Sequence, residues 1–266
     1  MYNDLFTVFG VTIHGYGLAI AVGFLIAVFL SSYRAKRLGL DDDAVMSLAL
    51  VAIIAGFIGA KLLYVIVHNK EFFADPLGTI GSEGFVAYGG IIVGALAVWW
   101  YCRRKKLDFL AYFDLLMPEV AIAQGFGRIG CFLAGCCYGR PWDGALAVVF
   151  PANCGAPAGI PLFPAQLFSA GGDILIGIVL LALHKKLRHR GEVGGWYLML
   201  YGIGRFIIEF FRSDPRGNVA FLSTSQFISV FIVIFAVIFL CKCRKNDVRS
   251  DTPLPEAAED AEAPEE

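Results

Sequence analysis

Seven long runs of apolar residues, separated by short polar or charged segments, dominate the chain. Each run approaches the roughly 20 residues that an α-helix needs to cross about 30 Å of hydrocarbon. The pattern therefore predicts an all-α polytopic membrane protein with about seven transmembrane helices. They are expected near residues 16–33, 44–67, 85–102, 109–129, 166–183, 193–211 and 221–241.

Two segments lack the apolar period of a span. Residues 139–165 contain five prolines and one short apolar run, and we expect a small extracytoplasmic cap with room for a hairpin. The residues from Asn246 onward carry eight acids and one base, a composition typical of disorder. We therefore expect one transmembrane domain at residues 1–243, which carries the activity, and a disordered cytoplasmic tail at residues 244–266.

Composition and loop charge agree with this interpretation. The 266 residues are 58% hydrophobic and 17% charged, outside the range of most soluble domains. Fifteen basic residues follow the first, third, fifth and seventh runs, whereas four lie on the alternate side. Because cytoplasmic loops are enriched in Lys and Arg, the N-terminus is expected outside and the C-terminus inside.

This orientation gathers polar residues near the outer surface. Three cations lie inside predicted spans, and Arg128 is about 28 Å along its helix at 1.5 Å per residue. The residues expected near the outer face are Lys61, Arg128, Arg205, Tyr88, Gln166 and His14. Three uncompensated cations would cost about 8–10 kcal/mol on insertion scales, so something must offset that cost.

Part of that compensation is local, and alternatives remain. Glu209 is four residues after Arg205 and Arg212 three further, so the three are expected on one helix face. Arg128 has no acid at such spacing, so an anionic ligand such as phosphate is one partner. Snorkelling, or a pair with Glu209 or Asp173, is the structural alternative.

Glycines and cysteines leave two further questions open. Glycines such as Gly89, Gly90 and Gly139 serve either close helix packing or close approach of a lipid headgroup. Cys136 or Cys137 could form a disulfide with Cys154 in the outer segment. No CxxC and no zinc-type cysteine–histidine spacing occurs, so no metal site is expected.

Five motifs resemble the prolipoprotein diacylglyceryl transferase family over residues 10–241. They are HGYGLAI (14–20), FVAYGGIIVG (85–94), GRIGCFLAGCCYG (127–139), FPAQLF (163–168) and YGIGRFIIEFFR (201–212). The resemblance implies transfer of the diacylglyceryl group of phosphatidylglycerol to a lipobox cysteine thiol of a prolipoprotein. The implied products are a thioether and glycerol phosphate.

The resemblance also implies roles for individual residues. Arg128 and Arg205 would hold the phosphate and stabilise the leaving group, with Glu209 orienting Arg205. Tyr16, Gly89, Gly90 and Gly139 would shape the headgroup site, to which Lys61 and Gln166 would also belong. The partners implied are the lipid, the prolipoprotein and the bilayer, with no cofactor and no nucleic acid. The location implied is the bacterial cell membrane, with the site facing the outer leaflet.

The chain departs from the family pattern at several positions. Tyr88 stands where many members have the histidine proposed as base, so His14 is a substitute candidate. Cys131, Ala134 and Cys136 replace the signature's asparagines and glutamate, and Lys61 replaces an arginine. Two other functions stay open: a thiol–disulfide oxidoreductase using Cys136, Cys137 and Cys154, and a small-anion transporter.

Overall fold

The computed structural model describes residues 4–245 except 9, 10, 83, 153, 188, 215–217 and 220. In this part of the chain the helices are α1 (Gly15–Arg37), α2 (Asp42–Val67), α3 (Asn69–Ala74), α4 (Pro76–Gly81), α5 (Ala87–Lys105), α6 (Phe109–Ala134), α7 (Ala165–His184), α8 (Glu192–Glu209) and α9 (Thr224–Lys245). The strands are β1 (Asp4–Val8), β2 (Val11–His14), β3 (Val148–Val149), β4 (Pro161–Leu162), β5 (Asn218–Val219) and β6 (Leu222–Ser223). The strands form three antiparallel pairs, so the fold is predominantly α-helical. Apart from the last two residues of α9, the predicted tail lies outside the described residues.

Each predicted apolar run corresponds to one of seven long helices, with ends that differ by a few residues. Five of them, α1, α2, α6, α7 and α9, are long and apolar enough to cross a membrane. The other two are more polar, because α5 ends in three basic residues and α8 contains Glu192, Arg205 and Glu209. The chain is therefore a multi-pass membrane protein.

The described chain divides into two compact units. The smaller unit is Ser32–Phe109, in which α2 and α5 pack in antiparallel directions. Gly59 of α2 meets Gly89 of α5, and Gly56 meets Gly90. A Cβ added to Gly59, Gly89 or Gly90 would collide with the opposite backbone. These glycines therefore have a packing role, because only small residues let two helix backbones approach this closely.

The larger unit contains the described residues up to Ser31 and from Leu110 onward. Its core joins α6, α7 and α8 through the buried residues Ala121, Leu180, Val193 and Tyr197. Asp114 of α6 accepts hydrogen bonds from the backbone N–H groups of Gly191 at 2.6 Å and Gly194 at 2.8 Å. A buried carboxylate thus satisfies backbone donors at the start of α8.

The cap predicted at residues 139–165 contains one small hairpin. Val148 of β3 pairs with Leu162 of β4, and Leu162 joins a buried cluster with Phe150 and Ala156. Phe132 of α6 packs against that cluster, so the cap and the end of α6 share apolar contacts.

Three local predictions need correction. Helix α8 ends at Glu209 rather than 211, and Arg212 bridges to the backbone of Gly139, so it does not share a helix face with Arg205. The Asp214–Pro215 sequence that follows disfavours continued helix. Helix α9 begins at Thr224, because residues 218–219 and 222–223 form the β5–β6 pair instead of helix.

Short elements also occur where the sequence pattern predicted loops. His14 ends a hairpin of β1 and β2, and the segment after α2 contains α3 and α4. Each of these two helices has six residues, too few for a 3.6-residue apolar period to be recognised. Asp75 starts α4 by accepting from the Gly78 N–H at 2.9 Å.

Candidate anion-binding site

Arg128 lies within the last two turns of α6, where the larger unit leaves it half-buried. Among the described residues no side chain forms an ion pair or a hydrogen bond with its guanidinium. Its electrostatic neighbours are Tyr201, Cys131, Arg212 and Asp173. The pairing of Arg128 with Glu209, considered from the sequence, is not seen in the described chain, since that acid is engaged elsewhere.

Arg205 differs from Arg128, because α8 and α9 each supply a side chain that contacts its guanidinium. Its guanidinium lies 2.7 Å from the Glu209 carboxylate, and Nη2 donates to Ser225 Oγ at 2.9 Å. The i,i+4 pair expected from the sequence is therefore present. Both side chains are nearly buried, at 11% and 6% exposure. The pair holds the guanidinium in one orientation.

Asp173 of α7 supplies the negative charge near both arginines. It is buried, and Arg128 and Arg205 are the cations that act on its carboxylate. Sequence analysis identified Asp173 only as an alternative partner of Arg128. The sequence does not show that Asp173 of α7 lies near arginines on two other helices. Glu209 and Asp173 balance the charges of the two guanidinium groups, but Arg128 has no ion pair among the described residues, so it is the group in this region that suits an anion.

Arg212 marks the edge of the same region. Its guanidinium makes two hydrogen bonds to Asp214, at 3.0 and 3.1 Å, and its side chain is 3% exposed. Burial opposes its charge, but the bonds to Asp214 and the nearby Cys137 outweigh that effect and raise the pKa of Arg212. Its own backbone bridges to Gly139, which draws the end of α8 toward the start of the cap.

Gly139 occupies a crossing of three backbone segments. Arg140 N–H donates to Phe211 O at 2.9 Å, and Phe163 N–H donates to Arg140 O at 2.9 Å. A Cβ on Gly139 would collide with the Phe163 carbonyl and come within 2.9 Å of the Phe211 carbonyl. The structure thus gives this signature glycine a backbone-packing role.

Gln166 and Tyr16 extend the site toward α7 and α1. Gln166 is 1% exposed and donates from Nε2 to Cys136 O at 2.9 Å, while its Oε1 has no hydrogen-bond partner in the described chain. Tyr16 packs against Gly130 of α6 and interacts electrostatically with Arg128. A hydroxyl-bearing ligand could therefore find an acceptor in Gln166.

Three thiols gather where α6 ends, and the helix terminus explains why. Cys136 N–H donates to Cys131 O and Gly135 N–H to Phe132 O, with Gly135 in the left-handed region at φ +68°. This pair of bonds is the Schellman motif, which brings the side chains of its first and sixth residues together. Cys137, at φ +59°, turns its thiol back, so that the Sγ atoms of Cys131, Cys136 and Cys137 lie within 4.8 Å of one another.

The pKa values of two of these thiols shift in opposite directions. Hydrogen bonds from Cys131 and Cys136, together with nearby Arg212, hold the pKa of Cys137 below its ordinary value. Hydrogen bonds with the same partners raise the pKa of Cys136. No disulfide links the described cysteines, and Cys154 Sγ donates to Pro151 O at 3.1 Å, so the disulfide considered from the sequence is not present.

The remaining predicted residues have other surroundings. His14 is exposed on β2, with Nδ1 2.7 Å from Asp4 Oδ1. Lys61, Tyr88, Gly89 and Gly90 belong to the smaller unit, where Tyr88 is 37% exposed. The Lys61 ammonium donates to the carbonyls of Ser82 and Gly84 at 2.6 and 3.3 Å, so it stabilises the turn before α5.

Five apolar helices and a half-buried guanidinium that no described side chain pairs define a multi-pass membrane protein with a candidate anion-binding site. The chain belongs to the prolipoprotein diacylglyceryl transferase family, whose model matches residues 3–242.

Similar proteins are named as transferases of this family. The phosphatidylglycerol–prolipoprotein diacylglyceryl transferase of Clostridium tetani is 48% identical over 88% of this chain and 94% of its own length. The second such transferase of Clostridium perfringens is 42% identical over 87% of this chain and 91% of its own length. The transferase of Finegoldia magna is 30% identical over 92% and 97%. The chain is therefore similar to these transferases over nearly their whole length.

Proposed function

We propose that this protein transfers the diacylglyceryl group of phosphatidylglycerol to the cysteine thiol of prolipoproteins. Membership of the family and the names of the similar transferases support the reaction. The observation that carries the site is Arg128, a half-buried cation without an ion pair among the described residues. A lipid phosphate would supply the missing counter-charge, and a planar guanidinium binds phosphate through two parallel hydrogen bonds.

The reaction displaces a phosphate ester. The prolipoprotein sulfur attacks the glyceryl carbon that carries the phosphate, a C–S bond forms, and the C–O bond to phosphate breaks. Glycerol phosphate leaves with the bonding electron pair, and the thiol proton passes to a base or to solvent. Arg128 and Arg205 stabilise the charge on the departing phosphate, because cations in a water-poor site act strongly on developing charge.

Neighbouring residues position these groups. Glu209 fixes the Arg205 guanidinium, and Gln166 offers its Oε1 to a headgroup hydroxyl. Tyr16 lies beside Arg128 on the α1 side of the site. Gly139 acts through the backbone crossing that carries Arg212. Roles for Lys61, Gly89 and Gly90 in headgroup binding stay predictions that rest on the family motifs.

His14 is the proposed base. Its Nδ1 is engaged by Asp4, which leaves Nε2 to accept a proton from the incoming thiol. Tyr88 takes the position of the family histidine and is the alternative. Replacing each in turn separates them, since only the loss of the base should depress turnover more strongly at low pH than at high pH.

The proposal includes seven spans, in which α5 and α8 cross the membrane as the five more apolar helices do. The N-terminus lies outside, the tail lies in the cytoplasm, and Arg128 faces the outer leaflet. The distribution of fifteen against four loop cations supports this orientation. The oxidoreductase and transporter alternatives receive no support from the similar proteins, which are named as transferases.

A purified assay with phosphatidylglycerol micelles and a lipobox peptide tests the proposal. Arg128→Ala should lower transfer by at least about 100-fold, the loss typical when a group that stabilises developing charge is removed. Arg104→Ala is the matched control, because Arg104 is an exposed arginine at the end of α5 that stacks on Trp100. Near-normal transfer by Arg128→Ala would contradict the role given to Arg128.

Ligand binding distinguishes a lipid headgroup from free phosphate. Phosphatidylglycerol should raise the melting temperature of the wild type and leave Arg128→Ala unchanged, because a ligand stabilises only a protein that binds it. Phosphatidylcholine and inorganic phosphate serve as comparisons. Equal stabilisation by inorganic phosphate would show that the site recognises the anion without the lipid.

A further inference from the structure

The thiol cluster of Cys131, Cys136 and Cys137 is a built feature of the fold. The Schellman motif at the end of α6 brings Cys131 and Cys136 together, and the left-handed residue Cys137 completes the group. A left-handed conformation is uncommon for a residue with a side chain. The proposed transfer reaction takes its sulfur from the prolipoprotein and gives these three thiols no task.

We propose that Cys131, Cys136 and Cys137 form a three-sulfur site for a thiophilic cation of the Zn(II) class. A Zn–S bond near 2.3 Å places tetrahedral sulfur ligands about 3.8 Å apart. The three Sγ atoms already lie within 4.8 Å of one another, so small side-chain rotations bring them to bonding distance. The fourth position stays open to water or a small ligand.

The ligand set determines which metals fit. The cluster consists of sulfur atoms, and soft thiolates favour Zn(II), Cd(II) and Cu(I) over Mg(II) or Ca(II), which prefer oxygen. Spacing alone did not reveal the site, because Cys131-x4-Cys136-Cys137 lacks a CxxC and depends on the turn at Gly135.

Neighbouring cations make thiolate ligation favourable. Arg212 hydrogen-bonds to Cys137, and Arg128 interacts electrostatically with Cys131. Three thiolates and one divalent cation carry a net charge of about −1, which these two nearby guanidinium groups can balance.

The position of the cluster also predicts an effect on catalysis, and this step rests on the proposed function. Tyr16 and Arg128 both interact electrostatically with Cys131. A bound cation would engage the thiols beside the guanidinium that holds the lipid phosphate. The metal-loaded protein should therefore transfer diacylglyceryl groups more slowly than the metal-free protein.

Cd(II) titration of the reduced, chelator-treated full-length protein tests the site directly. The wild type should bind one Cd(II) per chain with sulfur-to-cadmium absorption in the near ultraviolet. Cys136→Ser and Cys137→Ser should each weaken binding by more than about 100-fold, since even outer partners of a metal ligand are worth 10–100-fold. Both residues lie outside the helix, and circular dichroism will verify that the variants remain folded.

Matched cysteines supply the controls. Cys154→Ser should bind as the wild type does, because Cys154 lies near Gly135 but bonds to Pro151. The double variant Cys241→Ser/Cys243→Ser should do the same. Undiminished absorption in Cys136→Ser and Cys137→Ser, or equal loss in Cys154→Ser, would overturn the proposal.

X-ray absorption at the zinc edge of the wild type provides a test that needs no variant. Three sulfur neighbours near 2.3 Å are expected, and a shell of oxygen and nitrogen would overturn the site. Transfer assays with and without Cd(II) then test inhibition, which Cys137→Ser should escape. Absence of transfer in every sample would refute the proposed function, while the binding data would still decide the metal site.

Discussion

Arg128 and Arg205 carry the same charge in one unit but have different surroundings. Arg205 is held between Glu209 and Ser225, whereas Arg128 has Asp173 nearby without an ion pair in the described chain. A guanidinium that is already paired is fixed in place, and one that is not paired retains its capacity to bind a phosphate. We therefore propose that the two residues have complementary roles in holding one anion.

Glu209→Ala should destabilise the protein by about 3–5 kcal/mol, because it leaves the nearly buried Arg205 charge without its partner. Thermal unfolding in detergent measures the effect. Asp42→Ala is the control, since Asp42 pairs at 3.1 Å with an exposed lysine, Lys36, and such pairs contribute at most about 1 kcal/mol. Equal losses in the two variants would show that burial of the Arg205 pair is unimportant.

Two glycines of one signature motif should respond differently to alanine. A Cβ on Gly139 meets the carbonyls of Phe163 and Phe211, whereas a Cβ on Gly127 meets nothing within 4 Å. Gly139→Ala should cost about 1–3 kcal/mol through overpacking. Gly127→Ala should be neutral or stabilise helix α6 by up to about 1 kcal/mol. A stable Gly139→Ala with normal transfer would contradict the backbone role.

Helix α8 has both of its ends fixed by contacts that are remote in sequence. Asp114 of α6 binds the N–H groups of Gly191 and Gly194, and the residues after Glu209 cross the start of the cap. Arg205 therefore sits on a helix that cannot shift along its axis without breaking these contacts. This is how the fold positions Arg205, whose guanidinium is proposed to bind phosphate.

Asp114→Ala should destabilise the protein by about 1–3 kcal/mol for each buried donor it leaves unsatisfied. Transfer should fall as well, because α8 also positions Arg205. Chemical unfolding and the lipobox assay measure the two effects. Asp143→Ala, at an exposed position of the cap, should change neither, and a loss as large as that of Asp114→Ala would contradict the capping role.

The sequence predicted elements better than contacts between them. Long apolar runs are buried in lipid as helices. Each of the seven runs therefore predicted one long helix, with ends correct to within a few residues. The position of Arg212 could not be predicted, because it depends on where α8 stops and on its bridge to Gly139. The thiol cluster was also missed, although Gly135 after an apolar helix is a recognisable sign of a Schellman turn.

The membrane orientation, which is inferred from the charges of the loops, determines which side of the membrane the proposed site faces. Arg128 lies near the end of α6 that leads into the cap, so the side of the membrane on which the cap lies decides which leaflet Arg128 faces. The cap carries few cations, whereas the end of α5 carries Arg103, Arg104 and Lys105. Both features favour the proposed position of the cap outside the cell, because cytoplasmic loops are enriched in Lys and Arg.

Cysteine labelling of intact cells tests this orientation. Asp143→Cys in the cap should react with a membrane-impermeant maleimide, and Lys105→Cys at the end of α5 should react only after permeabilisation. Both original side chains are exposed, so accessibility reports sidedness rather than burial. The background carries Cys241→Ser, since Cys241 is an exposed native thiol, and its own labelling is subtracted. The reverse pattern would place Arg128 toward the cytoplasm, where it could not serve lipid of the outer leaflet.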